Sequence, residues 1–204
     1  MSEETIAFKI DLTKSVTPWD RRTKIRRGIW QYLVKPVYRF IPGKRSTLRI
    51  AILRAMGAQI GDSCLIQQRV DILIPWNLVM KDCVVLGHDV RILNFTTVTI
   101  HSMTVISQHA HLCTGTHDYT HPHFPLVFHP IEIGAESWVA SGAFIAPGVT
   151  IGRGCVIGAN SVVTKDQPPW SICAGSPCQR LKDRIITTPN PRSRKHVKEA
   201  RQRF

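Results

Sequence analysis

No run of eighteen apolar residues occurs anywhere in the 204-residue chain, so no segment is long and apolar enough to cross a bilayer as a helix. The opening MSEETIAFKIDL lacks the apolar core of a secretory signal, and a cytoplasmic location is expected. Acids are scarce: 14 Asp and Glu stand against 27 Lys and Arg. The six cysteines (Cys64, Cys83, Cys113, Cys155, Cys173, Cys178) form no C-x-x-C pair and no tight framework. That argues against a disulfide scaffold or zinc ribbon and for small buried thiols, none of them a nucleophile. No RNP, helix-turn-helix or zinc-finger pattern is present, so nucleic acid is not an expected partner despite the net charge of +13.

That charge is unevenly placed. Residues 1–57 balance to +9, residues 58–170 to −3 and residues 171–204 to +7. An anionic partner, such as a phosphate-bearing cofactor or a lipid headgroup surface, is expected at the ends. The chain divides accordingly into a basic arm with a capping helix (1–57), a central region (58–167) and a basic extension (168–204).

The central region carries a repeat. An aliphatic residue recurs every six positions from Ile60 through Ile66 and Ile72, then Met80, Leu86 and Ile92, then Ile100, Ile106 and Leu112. After an interruption the beat resumes at Ile133, Val139, Ile145, Ile151, Ile157 and Val163. Six residues hold a short strand and a tight corner, and three such units close one turn of a triangular solenoid with the aliphatics inward. Turns then stack at about 4.8 Å, the spacing of hydrogen-bonded strands. Gly61, Gly134, Gly152 and Gly158 fall at corners, where either positive φ or lack of room favours them. In the 20-residue coils two extra residues are placed at one corner, near Pro75-Trp76 and Val98-Thr99. The next inward residue after Leu112 is due near 120 but arrives at Ile133, so about thirteen residues leave as a loop at 117–130.

The segments IGAESWVASGAFIAPGVTIGRGCVIGANSVVTKD and AGSPCQRLKD resemble the hexapeptide-repeat acyltransferases, and LCTGTHDYTHPHFPLVFHPIEIG is most similar to the colanic-acid biosynthesis acetyltransferases. Galactoside, maltose and nodulation acetyltransferases are relatives. The resemblance implies a mainly β fold, a left-handed parallel β-helix, assembled as a homotrimer with sites between adjacent prisms. It also implies acetyl transfer from acetyl-CoA to the hydroxyl of a saccharide acceptor, in a ternary complex without an acyl-enzyme and with no metal. His117 matches the family's general base, a role suited to an imidazole titrating near neutrality. Asn94, Asp118 and Tyr119 are expected on the acceptor side, Asn94 or Asp118 also as the group that orients the base. Ser141, Gly142, Ala159, Thr164 and Lys165 match the CoA groove, and Arg180 and Lys182 match its phosphate contacts. Trp138 is expected to wall the site from a neighbouring chain. Two departures stand out: Gln179 follows the Pro-Cys pair where some relatives have arginine, and Gly87 stands where some carry an acceptor-side asparagine.

Eight of the nine histidines lie between residues 88 and 129. His117, His121 and His123, with His88 or His109, therefore leave a second reading open, a γ-carbonic-anhydrase-like zinc lyase on the same fold. Residues 46–56 alternate apolar and basic side chains at helical spacing up to Gly57 and read as a helix capping the first coil. Residues 22–40 mix Arg and Lys with Trp30, Tyr32, Tyr38 and Phe40. They read either as an arm packed on a neighbour or on the solenoid cap, or as an interfacial segment on anionic lipid, with Pro36 breaking any single long helix. Pro168 and Pro169 are expected to stop the strands, and residues 187–204 to form a basic tail or short exposed helix.

Overall fold

The computed structural model describes residues 10–14 and 19–187. The expected tail lies outside the described residues apart from Thr187. The central region is a parallel β-solenoid with three faces. The first face stacks Gln59–Ile60, Leu78–Met80, Val98–Ile100, Ile131–Ile133 and Thr150–Ile151. The second stacks Leu65–Ile66, Val85–Leu86, Val105–Ile106, Trp138–Val139, Val156–Ile157 and Ser171–Gly175. The third stacks Asp71–Ile72, Arg91–Leu93, His111–Cys113, Phe144–Ile145 and Val162–Val163. Every aliphatic of the six-residue beat is buried. Each contributes about 1.5–3 kcal/mol of transfer free energy, and the parallel register keeps like on like, as in Ile60↔Met80 and Leu86↔Ile106.

The corners settle why glycine is there. A Cβ on Gly134 would lie 2.5 Å from the Arg153 nitrogen, and one on Gly152 would lie 2.4 Å from the Pro169 nitrogen. Lack of room, not backbone sign, selects glycine at these positions. Positive φ falls elsewhere, in two stacked ladders borne mostly by ordinary side chains and, in the later coils, by Gly142 and Gly154. Ser63, Cys83, Met103 and Glu136 turn the chain between the first and second faces; Arg69, Asp89 and His109 turn it between the second and third. The extra residues of the first coil form a turn at Pro75–Asn77. In the second coil Val98 and Thr99 belong to a strand instead, and the corner is made by the preceding residues 94–97.

The helix expected over 46–56 spans Ser46–Ala55 (hereafter the capping helix). It ends with Gly57 at φ 97°, its N–H on the Arg54 carbonyl and the Ala58 N–H on the Leu53 carbonyl, a Schellman termination. This helix and the arm bind the open edge of all three faces. The Arg54 guanidinium donates to the Ile60 carbonyl, Ser46 Oγ accepts from the Ile66 N–H, Arg49 Nε donates to the Ile66 carbonyl, and Trp30 Nε1 donates to the Ile72 carbonyl.

Two expectations are corrected here. Pro36 does not break the arm: helix runs over Arg21–Gly28 and Lys35–Arg39, joined through a π-helical stretch at Ile29–Val34. The wider π register places the Lys35 N–H on the Trp30 carbonyl and accommodates a residue with no N–H of its own. Nor do Pro168 and Pro169 stop the strands. Ser171–Gly175 extends the second face and Cys178–Asp183 returns antiparallel to it.

Candidate active site

The thirteen extra residues leave the prism at the corner between the third and first faces. Ile133 pairs directly with Ile100, so the register closes beneath them. They form a hairpin in which Gly115–His117 pairs antiparallel with Leu126–Phe128, His117 opposite Leu126. Gly115 has to be small: a Cβ there would meet the Phe95 ring at 2.4 Å. The hairpin tip is pinned to the N-terminal segment, with the Asp11 N–H on the Pro122 carbonyl at 3.0 Å and His123 Nδ1 against the Asp11 carbonyl at 2.8 Å.

His117 is exposed and opens onto a cleft of about 650 Å³ that includes Asp118, Tyr119 and Phe128. Its Nδ1 lies 2.7 Å from the Phe124 carbonyl oxygen. A carbonyl only accepts, so Nδ1 carries the proton and Nε2 presents its lone pair to the cleft. Phe124 itself stands at φ 42°, a conformation that bulky residues rarely adopt. That backbone sets the carbonyl which orients the ring.

The acceptor-side expectations divide. Asn94 is a correction: it is fully buried, its amide accepting from the Ile74 N–H at 2.9 Å and donating to the Ile74 carbonyl at 2.7 Å. Both polar ends serve the corner and neither faces an acceptor. Asp118 does not orient His117 either. Its carboxylate accepts from the Thr120 hydroxyl and N–H, which hold it below the usual carboxylate range. It remains at the cleft as an ionised acceptor beside Tyr119, which is fully exposed to approach.

The cofactor-side expectations fall on other edges of the prism. Ser141, Gly142 and Ala159 lie at corners between the second and third faces, stacked one coil apart with the Asn160 N–H on the Ser141 carbonyl. The Gly142 N–H is engaged by the Gln108 carbonyl at 3.1 Å. Among the described residues nothing accepts from the Ser141 or Ala159 N–H, so these two amides are free to meet a ligand. Thr164 and Lys165 follow the last strand of the third face and are exposed. Arg180 and Lys182 lie on the returning strand, Arg180 ion-paired with Asp183 at 2.5 Å. Trp138 is half-exposed on the second face, its Nε1 donating to Ser107 Oγ. Within one chain, therefore, His117 and the Ser141–Ala159 edge are not brought together.

The buried thiols are unsuited to nucleophilic attack: burial pushes Cys155 well above its ordinary value and Cys178 up to about 11. The zinc-lyase reading is not favoured. Among the described residues no three His, Cys, Asp or Glu converge on a metal position, and the Nδ1 atoms of His117 and His123 face separate carbonyls.

The Bacterial transferase hexapeptide (six repeats) model matches residues 130–165. The "Putative colanic acid biosynthesis acetyltransferase WcaF" of Escherichia coli K12 is 37% identical over 163 residues, 80% of this chain and 90% of that protein. The galactoside O-acetyltransferase of the same organism is 31% identical over 138 residues, 66% of this chain and 68% of that one. Among solved structures, a maltose O-acetyltransferase from Clostridium difficile 630 matches with TM-score 0.74 and 25% identity, covering 82% of this chain and 90% of its own. A galactoside acetyltransferase in complex with coenzyme A matches with TM-score 0.69 and 25% identity, over 87% and 88%. These neighbours are left-handed β-helix enzymes. The repeat, the hairpin and these likenesses agree: the chain belongs to the hexapeptide-repeat acetyltransferase family.

Proposed function

We propose that the protein transfers acetyl from acetyl-CoA to a saccharide hydroxyl, in exopolysaccharide synthesis of the colanic-acid kind, by direct attack in a ternary complex. The observation that carries this reading is the His117 ring, fixed by the Phe124 carbonyl with Nε2 free in an open cleft. Nε2 takes the hydroxyl proton as the oxygen attacks the thioester carbonyl. The tetrahedral oxyanion is met by the Ser141 N–H, the C–S bond breaks, and the imidazolium returns the proton to the CoA thiolate. Ala159, Thr164 and Lys165 line the pantetheine path, and Arg180 and Lys182 meet its phosphates.

Because the base and the Ser141–Ala159 edge occupy different corners, a complete site calls for two chains, and a cyclic trimer supplies three. Trp138 then walls the site from the adjacent copy. Release of free thiol from acetyl-CoA in the presence of a saccharide panel, by a species of three times the 23.0 kDa chain mass in light scattering, is the expected result. A monomer that turns over normally would remove the shared site; no thiol release with any saccharide would remove the activity.

The arm supports a cytoplasmic enzyme resting on the inner membrane face. Ile25, Ile29, Leu33, Val37 and Phe40 are all exposed, at a spacing that the π stretch keeps on one side, among Arg21, Arg22 and Arg26. Co-sedimentation with phosphatidylglycerol vesicles, lost in an Ile29→Asp/Leu33→Asp variant, is expected. Equal sedimentation of that variant counts against it.

A further inference from the structure

On the flank of the arm opposite that stripe, a groove runs between the helices and the third face of the prism. Two adjoining cavities of about 490 and 540 Å³ share Lys35, Asp71 and Arg91 in their walls. Six cations line them: Lys24, Arg27, Lys35, Arg39, Arg69 and Arg91. Only two carboxylates do, Asp71 and Asp89. The stacking of coils at twenty residues explains the solenoid side. It sets Arg69, Asp89 and His109 in one column at the corner and Asp71, Arg91 and His111 in the next column on the strand face.

The acids are already engaged. Lys35 Nζ lies 2.5 Å from Asp71, and Arg69 makes a two-pronged contact with Asp89 at 2.7 Å for each bond. Arg27 stacks on Trp19, while the side chains of Lys24, Arg39 and Arg91 have no partner among the described residues. In the same wall stands Tyr38, 2% exposed, whose hydroxyl is buried without a hydrogen-bond partner. Burial holds that phenol well above its ordinary pKa, so it stays an O–H donor. An unpaired buried donor among excess cations is a demand for an anionic acceptor.

The groove also leads somewhere. Its wall includes Leu93, two residues before Phe95, whose ring supports Gly115 of the hairpin and stacks on Trp19. Gly115 is two residues from His117.

We propose that this groove binds the phosphate or diphosphate of an anionic acceptor, directing the attached sugar toward the hairpin that carries His117. The inference rests on the acetyl-transfer reading for the sugar, while the anion site itself stands on the groove alone. Such a diphosphate belongs equally to a soluble nucleotide sugar or to a lipid-linked one.

Calorimetric titration of the full chain with inorganic pyrophosphate and with UDP tests it. Both are expected to bind, more weakly as salt rises, with Arg91→Ala and Lys24→Ala each losing about tenfold or more and Arg91→Lys recovering part of the loss. Both side chains are without partners, so thermal midpoints should not move, which separates lost binding from lost folding. Absence of heat with either ligand at millimolar concentration, or variants that bind like the parent, would overturn the site. So would binding confined to phosphatidylglycerol vesicles, which would assign these cations to the membrane surface. A protein that binds pyrophosphate but acetylates no saccharide keeps the groove and loses the transfer reading. One that acetylates a neutral sugar and ignores pyrophosphate does the reverse.

Discussion

His117→Ala is expected to lower acetyl transfer by about two to four orders of magnitude, the range a positioned general base contributes. One other imidazole lines the cleft, that of His129, but among the described residues no hydrogen bond fixes its ring. The Asp118 carboxylate is turned to Thr120, and Tyr119 stands free at the hairpin without a partner to activate it. Coenzyme affinity should stay within a few-fold, because the unpaired amides of Ser141 and Ala159 lie on another edge of the prism. The ring is exposed and its one bond is to a loop carbonyl, so the variant should fold normally. Steady-state rates with saturating acetyl-CoA, set beside CoA titration of the same variant, give both numbers. Turnover within a few-fold of the parent would show that another group takes the proton.

The largest effect on stability is expected at Arg49. This side chain is 1% exposed in the capping helix, and its guanidinium donates to four carbonyls: Ile66 at 2.9 Å, Ile41 at 3.0 Å, Pro42 at 2.9 Å and Gly43 at 2.6 Å. It thereby holds the link between arm and capping helix against the first coil. Arg49→Met keeps the stem but leaves the buried Ile66 and Ile41 carbonyls without a donor, a loss of about 3–5 kcal/mol. Arg49→Lys should recover little, since one ammonium cannot span a planar fork. Urea unfolding measures it as a lower midpoint at unchanged slope. A loss below about 1 kcal/mol would mean that water replaces the guanidinium at the edge.

The prism was legible because its signal is periodic. A side chain every sixth residue from Ile60 to Val163 admits few geometries, and every member proved buried. The hairpin was legible as a failure of that period, and within it the family motif singles out His117. What orients His117 was not legible, because the partner is a backbone carbonyl, which any residue could supply; only the unusual φ of Phe124 marks it. Asn94 was misplaced for a related reason. A polar residue near a site reads as a ligand until the corner is seen to need both ends of its amide. Arg49 looked like one more basic residue of an amphipathic helix, and its burial depends on the 41–43 backbone folding back over it. The cationic groove draws residues from the arm and from two coils twenty positions apart, so no stretch of sequence displays it.

A stack of parallel strands has no intrinsic length; each coil offers the next the same row of amides and carbonyls, which is how fibrils elongate. Here the first coil is covered on all three faces by Arg54, Ser46, Arg49 and Trp30, and at the last coil the second face is covered by a strand running backwards with Arg180, Lys182 and Asp183 along it. Removing residues 178–187 would bare the row on Ser171–Gly175 and, with the first coil still covered, leave an edge that pairs with the same edge of a second copy. The short charged return strand is thus a solubility device, independent of any part it plays in holding coenzyme.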